Sequence, residues 1–425
     1  MDSHKIPFRE LIASNPLARN SAIVFAGTMT ANVLSYIYHL MMGRMLGPSG
    51  YGELSSLLSL LYIFTIPLLV TQTVLIKLVS GFKAHGEVGQ AKSLFIKAVK
   101  VFEVVSLVGF PVILLAAPWV TSFLHLSSST LFVYVYLLLI ISLFIAVATS
   151  MLAGYQKFIW VSILGSVAIL VKIVISVPMA GWRVSGVMLA AIMASLIACV
   201  LYILPLRFLM SVKRKPTHLK KRDTFGFAIP TLLTQLGITS LYTTDIILVR
   251  HFFDAQSSGL YAALAILGKI IFYASSAVPT VLFPIASERT ALGSKTKKLI
   301  ISAVGAVAVI SIGITALYFL FPDLIVSLLF GNAYAGAGAM LGMFGIFLGL
   351  FSIANSIAVS CLAVGKIRIW LFCVAAALAQ IVGVTIFHGT IAQVIYLNIA
   401  IAAVLTFGSA AYYLYEKIQP HHTGV

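Results

Sequence analysis

The sequence predicts an all-α integral membrane protein of about twelve transmembrane helices, arranged as two six-helix bundles related by a pseudo-two-fold axis along the membrane normal. Three observations lead there. The composition is too poor in charge for an aqueous surface, apolar runs of spanning length recur along the chain, and the basic residues fall in alternate loops.

Of the 425 residues, 61% are hydrophobic and 9% charged, whereas about a quarter of a typical soluble domain is charged. A chain of this kind is solvated by lipid. Crossing ~30 Å of hydrocarbon takes about 20 apolar residues as a helix, and only helices or closed barrels satisfy the backbone there. The runs are continuous rather than alternating, which selects helices over barrel strands. The first nineteen residues are polar and basic and the first apolar run is long enough to span, so a cleavable signal peptide is not expected. Cys199, Cys361 and Cys373 lie inside apolar runs without metal-ligand spacing and read as small core residues.

Apolar runs bounded by Gly, Pro and charge give spans near 20–43, 54–76, 98–124, 130–152, 158–180, 184–209, 225–249, 259–285, 299–321, 338–362, 367–388 and 391–415. With the N-terminus cytoplasmic, 23 of the 28 Lys and Arg residues fall on the cytoplasmic side, from Lys5 and Arg9 through Lys77 and Lys83 to Lys366 and Lys417. Arg44, Arg183 and Arg250 remain on the other side, and Lys172 and Lys269 inside spans. This asymmetry predicts a multi-pass protein of the plasma or inner membrane with both termini cytoplasmic. It also explains the net charge of +17 as topology, and no nucleic-acid partner is expected. Trp119, Trp160, Trp182 and Trp370 fall near helix ends, where amphipathic rings favour the headgroup layer.

The polar stretch SVKRKPTHLKKRD begins at Ser211, so residues 211–224 read as a basic cytoplasmic linker between an N-terminal bundle (1–210) and a C-terminal bundle (225–425). Anionic headgroup contact is a second reading of that linker. The halves look related. GRMLGPSGYGELSSLLSLL after the first span parallels VRHFFDAQSSGLYAALAIL after the seventh, and AKSLFIKAV parallels TKKLIISAV. Six spans per half would give the two copies the same orientation, with a cavity between them.

At these residues the chain resembles the polysaccharide-biosynthesis (O-antigen and exopolysaccharide) flippases of the multidrug/oligosaccharidyl-lipid/polysaccharide exporter superfamily. The likeness rests on RMLGPSGYG (44–52), VKIVISVPMAGWRVSGVMLA (171–190), FAIPTLLTQLG (227–237), TTDIILVRHFFDAQSSGLYAA (243–263), SLLFGNAYAGAGAML (327–341) and LAVGKIRIW (362–370), in this order. Many relatives have fourteen spans and this chain has about twelve. The resemblance implies two bundles opening alternately to each side. It implies a polyprenyl-pyrophosphate-linked oligosaccharide as cargo, membrane lipid as surroundings, polysaccharide polymerase or export machinery as further candidate partners, and no cofactor.

A charged side chain near the bilayer centre costs about 2.5–3.5 kcal/mol on insertion scales, so it faces an aqueous cavity or a partner. Lys172, near the middle of span 5, and Lys269, in span 8, are candidates for binding the pyrophosphate as point charges. Asp245 in span 7 is the candidate for ion coupling, and pairing of Asp245 with Lys269 is the structural alternative. Arg44 and Arg250 hold equivalent places at the outer ends of spans 1 and 7, as outer cations guiding phosphate or as snorkelling residues. Lys77, at the cytoplasmic end of span 2, is a candidate for cargo uptake, which positive-inside bias explains equally well.

Two rivals stand against the flippase reading. A cation-coupled small-molecule or multidrug exporter of the same superfamily would favour an acidic cavity, whereas two lysines face one clear aspartate inside the spans. A membrane enzyme acting on lipid-linked sugars would gather carboxylates on sizeable loops. Glu53, Asp254 and Asp323 are scattered on short turns, and phosphate-loop, HExxH and CxxC motifs are lacking, so a non-enzyme is expected.

Overall fold

The computed structural model describes residues 16–216 and 225–415, and every regular element among them is helical. Residues 217–224 of the expected linker and the tail with His421 and His422 lie outside the described residues. The first element, Pro16–Ala84, is two helical limbs joined at Gly47, whose backbone sits at φ 67°, ψ 177°. Only glycine adopts that conformation without steric cost. The limbs are α1 (16–46) and α2 (48–84), and Pro48 opens the second limb, where a missing N–H costs nothing. There follow α3 (Val88–Phe123), α4 (Thr130–Gly154), α5 (Phe158–Met179) and α6 (Arg183–Ile203). The second half holds α7 (Phe225–Leu241), α8 (Thr244–Phe252), α9 (Ala255–Ala291), α10 (Lys297–Leu320), α11 (Pro322–Phe330), α12 (Gly338–Ala363), α13 (Ile369–Ile386) and α14 (Ile391–Tyr415).

Among the described residues nine segments are long and apolar enough to cross a membrane, and α7 with α8, bent by 40°, make a tenth. Two of the nine, Val24–Ala84 and Phe158–Met210, are broken at Gly47 and at Arg183 (φ 56°) and hold two crossings each. That yields the expected twelve crossings of an all-α integral membrane protein.

Two elements differ from the hydropathy reading. Helix α3 starts at Val88 rather than near 98, because its first turns are amphipathic: Ala91, Leu94 and Phe95 are buried while Lys92 donates to the carbonyls of Met210 (2.6 Å) and Val212 (2.8 Å). Span 7 is not one helix. At its bend the Thr243 hydroxyl donates to the Thr239 carbonyl (2.6 Å) and the hydroxyls of Ser240 and Thr244 meet at 2.7 Å. Side-chain hydroxyls thus satisfy partners that the interrupted ladder releases.

The chain forms two compact units. One comprises residues 1–39, 71–115 and 136–219, the other 40–70, 116–135 and 220–425. In the first, Leu75, Val79, Leu94, Val147, Met151, Leu164 and Leu209 make a closed core. The remainder of α3 turns apolar residues outward, with Leu107 75% and Leu115 83% exposed, as lipid contact requires. In the second, α12 is central, with Phe344, Phe347 and Phe351 fully buried. Its glycines admit α10: a methyl on Gly342 would meet the Phe319 ring at 2.5 Å, and one on Gly345 would meet Thr315 at 3.1 Å. Between helices in lipid this close backbone approach supplies the packing energy, since the hydrophobic effect does not act there.

Candidate intramembrane site

In the first unit, Lys172 lies on α5 among apolar neighbours, and its ammonium stands 3.7 Å from the centroid of the Tyr38 ring on α1. Among the described residues no carboxylate lies against it. The ring quadrupole offers a partly desolvated ammonium about 0.5–2 kcal/mol, without neutralising it. The positive charge therefore stays available to an anion.

In the second unit, Lys269 on α9 is 4% exposed and lies 5.2 Å from the Tyr242 ring and 5.8 Å from the Tyr62 ring. Asp245 is near enough to interact with it electrostatically, yet the two form no ion-pair contact. The Asp245 oxygens are engaged elsewhere: Oδ1 accepts from the Ile246 amide at 2.9 Å and Oδ2 from the Tyr261 hydroxyl at 2.7 Å. The bend in span 7 places Asp245 in the first turn of α8, where unpaired amides and the helix dipole favour a negative charge.

Behind Tyr261 runs a chain of polar groups from two further helices. Asn398 on α14 donates to the Tyr261 oxygen at 3.0 Å, and Gln380 on α13 donates to the Asn398 carbonyl oxygen at 3.0 Å and to the Leu241 carbonyl at 2.9 Å. The Leu241 carbonyl can only accept, so it orients the Gln380 amide, which orients Asn398, which turns the Tyr261 proton towards Asp245. From Gln380 through Asn398 and Tyr261 the donors run towards the carboxylate, an arrangement matched to its ionised form. Gln380 Oε1 is buried without a hydrogen-bond partner, which leaves one free acceptor in the cluster. Tyr261, Gln380 and Asn398 are functional candidates that a search for charges alone passes over. The signal of Gln380 and Asn398 is a polar side chain inside an apolar run, which is costly in lipid.

The remaining candidates lie apart from these clusters. Lys77 is exposed near the basic-rich end of α2. Arg44, at the end of α1, donates to the carbonyls of Leu328 and, at 3.0 Å, Leu329. Arg250, at the end of α8, is 5% exposed and donates to the carbonyls of Leu124 (3.0 Å) and His125 (2.8 Å) and to the Ser258 hydroxyl (3.2 Å). Of the scattered acids, Glu53 is buried and accepts from the Ser127 amide at 2.5 Å, and Asp254 accepts from the amides of Gln256 and Ser257. Both serve local structure. His, Cys, Asp and Glu form no metal-binding cluster among the described residues.

The fold recurs in known transporters. A lipid II flippase, MurJ, in an inward closed conformation aligns with a TM-score of 0.70 at 14% identity, over 93% of this chain and 87% of that one. A multidrug resistance MATE family transporter of the MOP superfamily, inward-facing, aligns with a TM-score of 0.69 at 14% identity, over 89% and 93%. A MOP superfamily transporter from Pyrococcus furiosus, described as having a binding pocket of reversed polarity, aligns with a TM-score of 0.62 at 15% identity, over 95% and 97%. These likenesses establish the fold. No curated protein matches the sequence. The model of the polysaccharide biosynthesis protein family matches residues 41–338, from the last turns of α1 to the start of α12 and so through Lys172, Asp245 and Lys269. The chain is thus a multi-pass membrane protein with the MOP transporter fold, and it belongs to the polysaccharide biosynthesis protein family.

Proposed function

We propose that the protein is an alternating-access flippase that moves an isoprenoid-pyrophosphate-linked oligosaccharide from the cytoplasmic to the outer leaflet for cell-surface polysaccharide synthesis. The observation that carries this reading is Lys172, an ammonium held in a membrane helix by an aromatic face, with no carboxylate among the described residues to neutralise it. A pyrophosphate is the anion such a site suits, and Lys269, caged by Tyr62 and Tyr242, supplies a second cation. Membership of the polysaccharide biosynthesis protein family supports a polysaccharide precursor as cargo, and the lipid II flippase among the similar folds is a precedent for a flippase of this fold. In this reading the basic-rich face is cytoplasmic and Lys77 lies on the side of cargo uptake.

Asp245 is the coupling site of this mechanism. Its carboxylate, polarised by Tyr261 and linked through Tyr261 and Asn398 to Gln380, can take up a proton or small cation. The membrane potential supplies a second drive, because each negative charge leaving a negative interior gains about 2.3 kcal/mol per 100 mV. The same carboxylate favours the rival reading, a cation-coupled drug exporter, but two intramembrane lysines against one aspartate suit an anionic cargo better.

The test uses proteoliposomes containing a fluorescent polyprenyl-pyrophosphate oligosaccharide, with the leaflet of the headgroup followed over time. Transfer by the parent and its loss in Lys172→Ala support the proposal. Transfer no faster than in protein-free liposomes, across several cargo lipids and either ion gradient, would sink it and leave the drug-exporter reading.

A further inference from the structure

Arg44 and Arg250 stand in matching places, one per sequence half, on the face where basic residues are few. Each reaches across to the other half and does the same thing there. Arg44, closing α1, caps two successive carbonyls at the C-terminal end of α11, those of Leu328 and Leu329. Arg250, closing α8, caps two successive carbonyls just past the end of α3, those of Leu124 and His125. A helix C-terminus leaves its last carbonyls without intrahelical partners and carries partial negative charge. A guanidinium fork matches a pair of such acceptors, and charge-assisted hydrogen bonds are the strong ones.

Both caps are reinforced by their neighbours. His251 Nδ1 meets the Phe123 carbonyl at 2.7 Å, its ring stacked on Phe123 at 4.0 Å. On the other arm the Tyr334 hydroxyl donates to the Gly43 carbonyl at 2.8 Å, and Phe330 lies 5.6 Å from Tyr51. Between the arms the repeated turns touch. A methyl on Gly259 would overlap the Pro48 carbonyl, and one on Gly52 would come within 2.9 Å of the Gly259 amide. From the first half, the larger compact unit takes only residues 40–70 and 116–135, the segments that carry these contacts.

We propose that these two arginine caps form a reciprocal latch that holds the transporter shut on its basic-poor face, so that opening there releases both caps in one step. Arg44 and Arg250 are then gating residues that act through the opposite half's helix ends. The inference rests on the alternating-access reading and is independent of the cargo.

The test places a single reporter, Ser59→Cys, behind the latch on α2, where Ser59 is buried, with Cys199, Cys361 and Cys373 replaced by Ala. Intact cells are treated with a membrane-impermeant maleimide applied to the basic-poor face. The parent should label slowly. Arg44→Ala and Arg250→Ala should each label about tenfold faster or more, the double variant little faster than either, and Arg→Lys in between. Arg183→Ala, which removes a basic residue of the same face outside the latch, should label like the parent. Unchanged labelling in all latch variants that remain monodisperse, or an equal rise in Arg183→Ala, would overturn the latch.

A second arm leaves both arginines in place. Phe123→Cys and His251→Cys, bridged by a short bis-methanethiosulfonate, should keep the Ser59→Cys reporter protected under every ion gradient, and reduction should release it. A bridged protein whose reporter labels as readily as the reduced one also refutes the proposal. No cargo enters either arm, so failure of the flippase assay and failure of the latch are read separately.

Discussion

The Tyr261 hydroxyl donates to Asp245 Oδ2 at 2.7 Å and accepts from Asn398 at 3.0 Å, so one phenol joins the carboxylate of a broken helix to two helices far along the chain. The phenol proton has a single productive direction, because the Leu241 carbonyl orients Gln380 and, through it, Asn398. Asp245 is thereby supported from one side, while the Lys269 ammonium acts on it at longer range.

Removing the hydroxyl separates the carboxylate from this support. Tyr261→Phe should lower thermal stability in detergent by about 1–3 kcal/mol, the usual cost of stranding buried partners, here Asn398 and Asp245. Asp245→Asn removes the charge and keeps the shape. It should abolish the dependence of transport on an imposed ion gradient while leaving the dependence on potential. Gradient dependence that survives Asp245→Asn would rule the carboxylate out as the coupling site.

Lys172 separates charge from volume. Lys172→Met retains the stem over Tyr38 and should fold at least as well as the parent, because a buried ammonium carries a desolvation cost. Cargo affinity should nevertheless fall by about 10- to 100-fold, the range expected for one lost charge-assisted contact. Equilibrium binding of the lipid-linked oligosaccharide in nanodiscs measures this. Equal affinity in parent and Lys172→Met would remove Lys172 from the cargo site.

Different parts of the molecule are legible in the sequence to different degrees, for physical reasons. Lys172 is plain because one charge in an apolar run has no cheap explanation. Gln380 and Asn398 bear the same kind of signal at lower amplitude, since amides cost less in lipid than charges and are easily passed over. Tyr261 bears none, being as much at home at a membrane interface as in a buried network. The equivalence of Arg44 and Arg250 is visible in the repeated turns. Their partners are not, because backbone carbonyls have no sequence signature and those of Leu328 and Leu329 lie nearly 300 positions from Arg44. The twelve crossings follow from hydropathy, whereas the early start of α3 and the bend at Thr243 depend on amphipathic turns and hydroxyl bonds that a hydropathy window averages away.

Two glycines should respond to alanine with opposite signs. A methyl on Gly237 of α7 would lie 2.5 Å from the Cys373 backbone of α13, and backbone does not yield as a flexible side-chain tip does. Gly237→Ala should destabilise by about 1–3 kcal/mol, as overpacking usually does. Gly313 of α10 has nothing within 4 Å of such a methyl, and alanine is the better helix former by about 0.8–1 kcal/mol. Gly313→Ala should therefore raise the thermal midpoint. The same sign for both variants would mean that α7 and α13 do not pack as closely as described.

Asp254 offers a pH signature outside the spans, in the turn between α8 and α9. Its Oδ1 accepts from the amides of Gln256 at 2.9 Å and Ser257 at 3.0 Å, which caps the first turn of α9. Hydrogen bonds from Ser257, side chain and backbone, hold the carboxyl below its ordinary value. A depressed carboxyl stabilises the fold above the unfolded value near 3.9 and loses that contribution as pH falls through the folded value. Asp254→Ala should thus cost about 0.5–2 kcal/mol at pH 7, towards the lower end because the group is exposed and solvent-screened. The gap between variant and parent should begin to narrow as pH falls below about 4, where the unfolded chain's carboxyl takes up its proton, and narrow further as the folded parent's follows. Asp254→Asn keeps a capping oxygen without a titrating charge, so it should track the parent at neutral pH and show no narrowing of its own. Thermal midpoints of the three proteins in detergent at pH 7 and pH 3 decide the matter, and an Ala deficit of equal size at both would show that the ionised cap contributes nothing to stability.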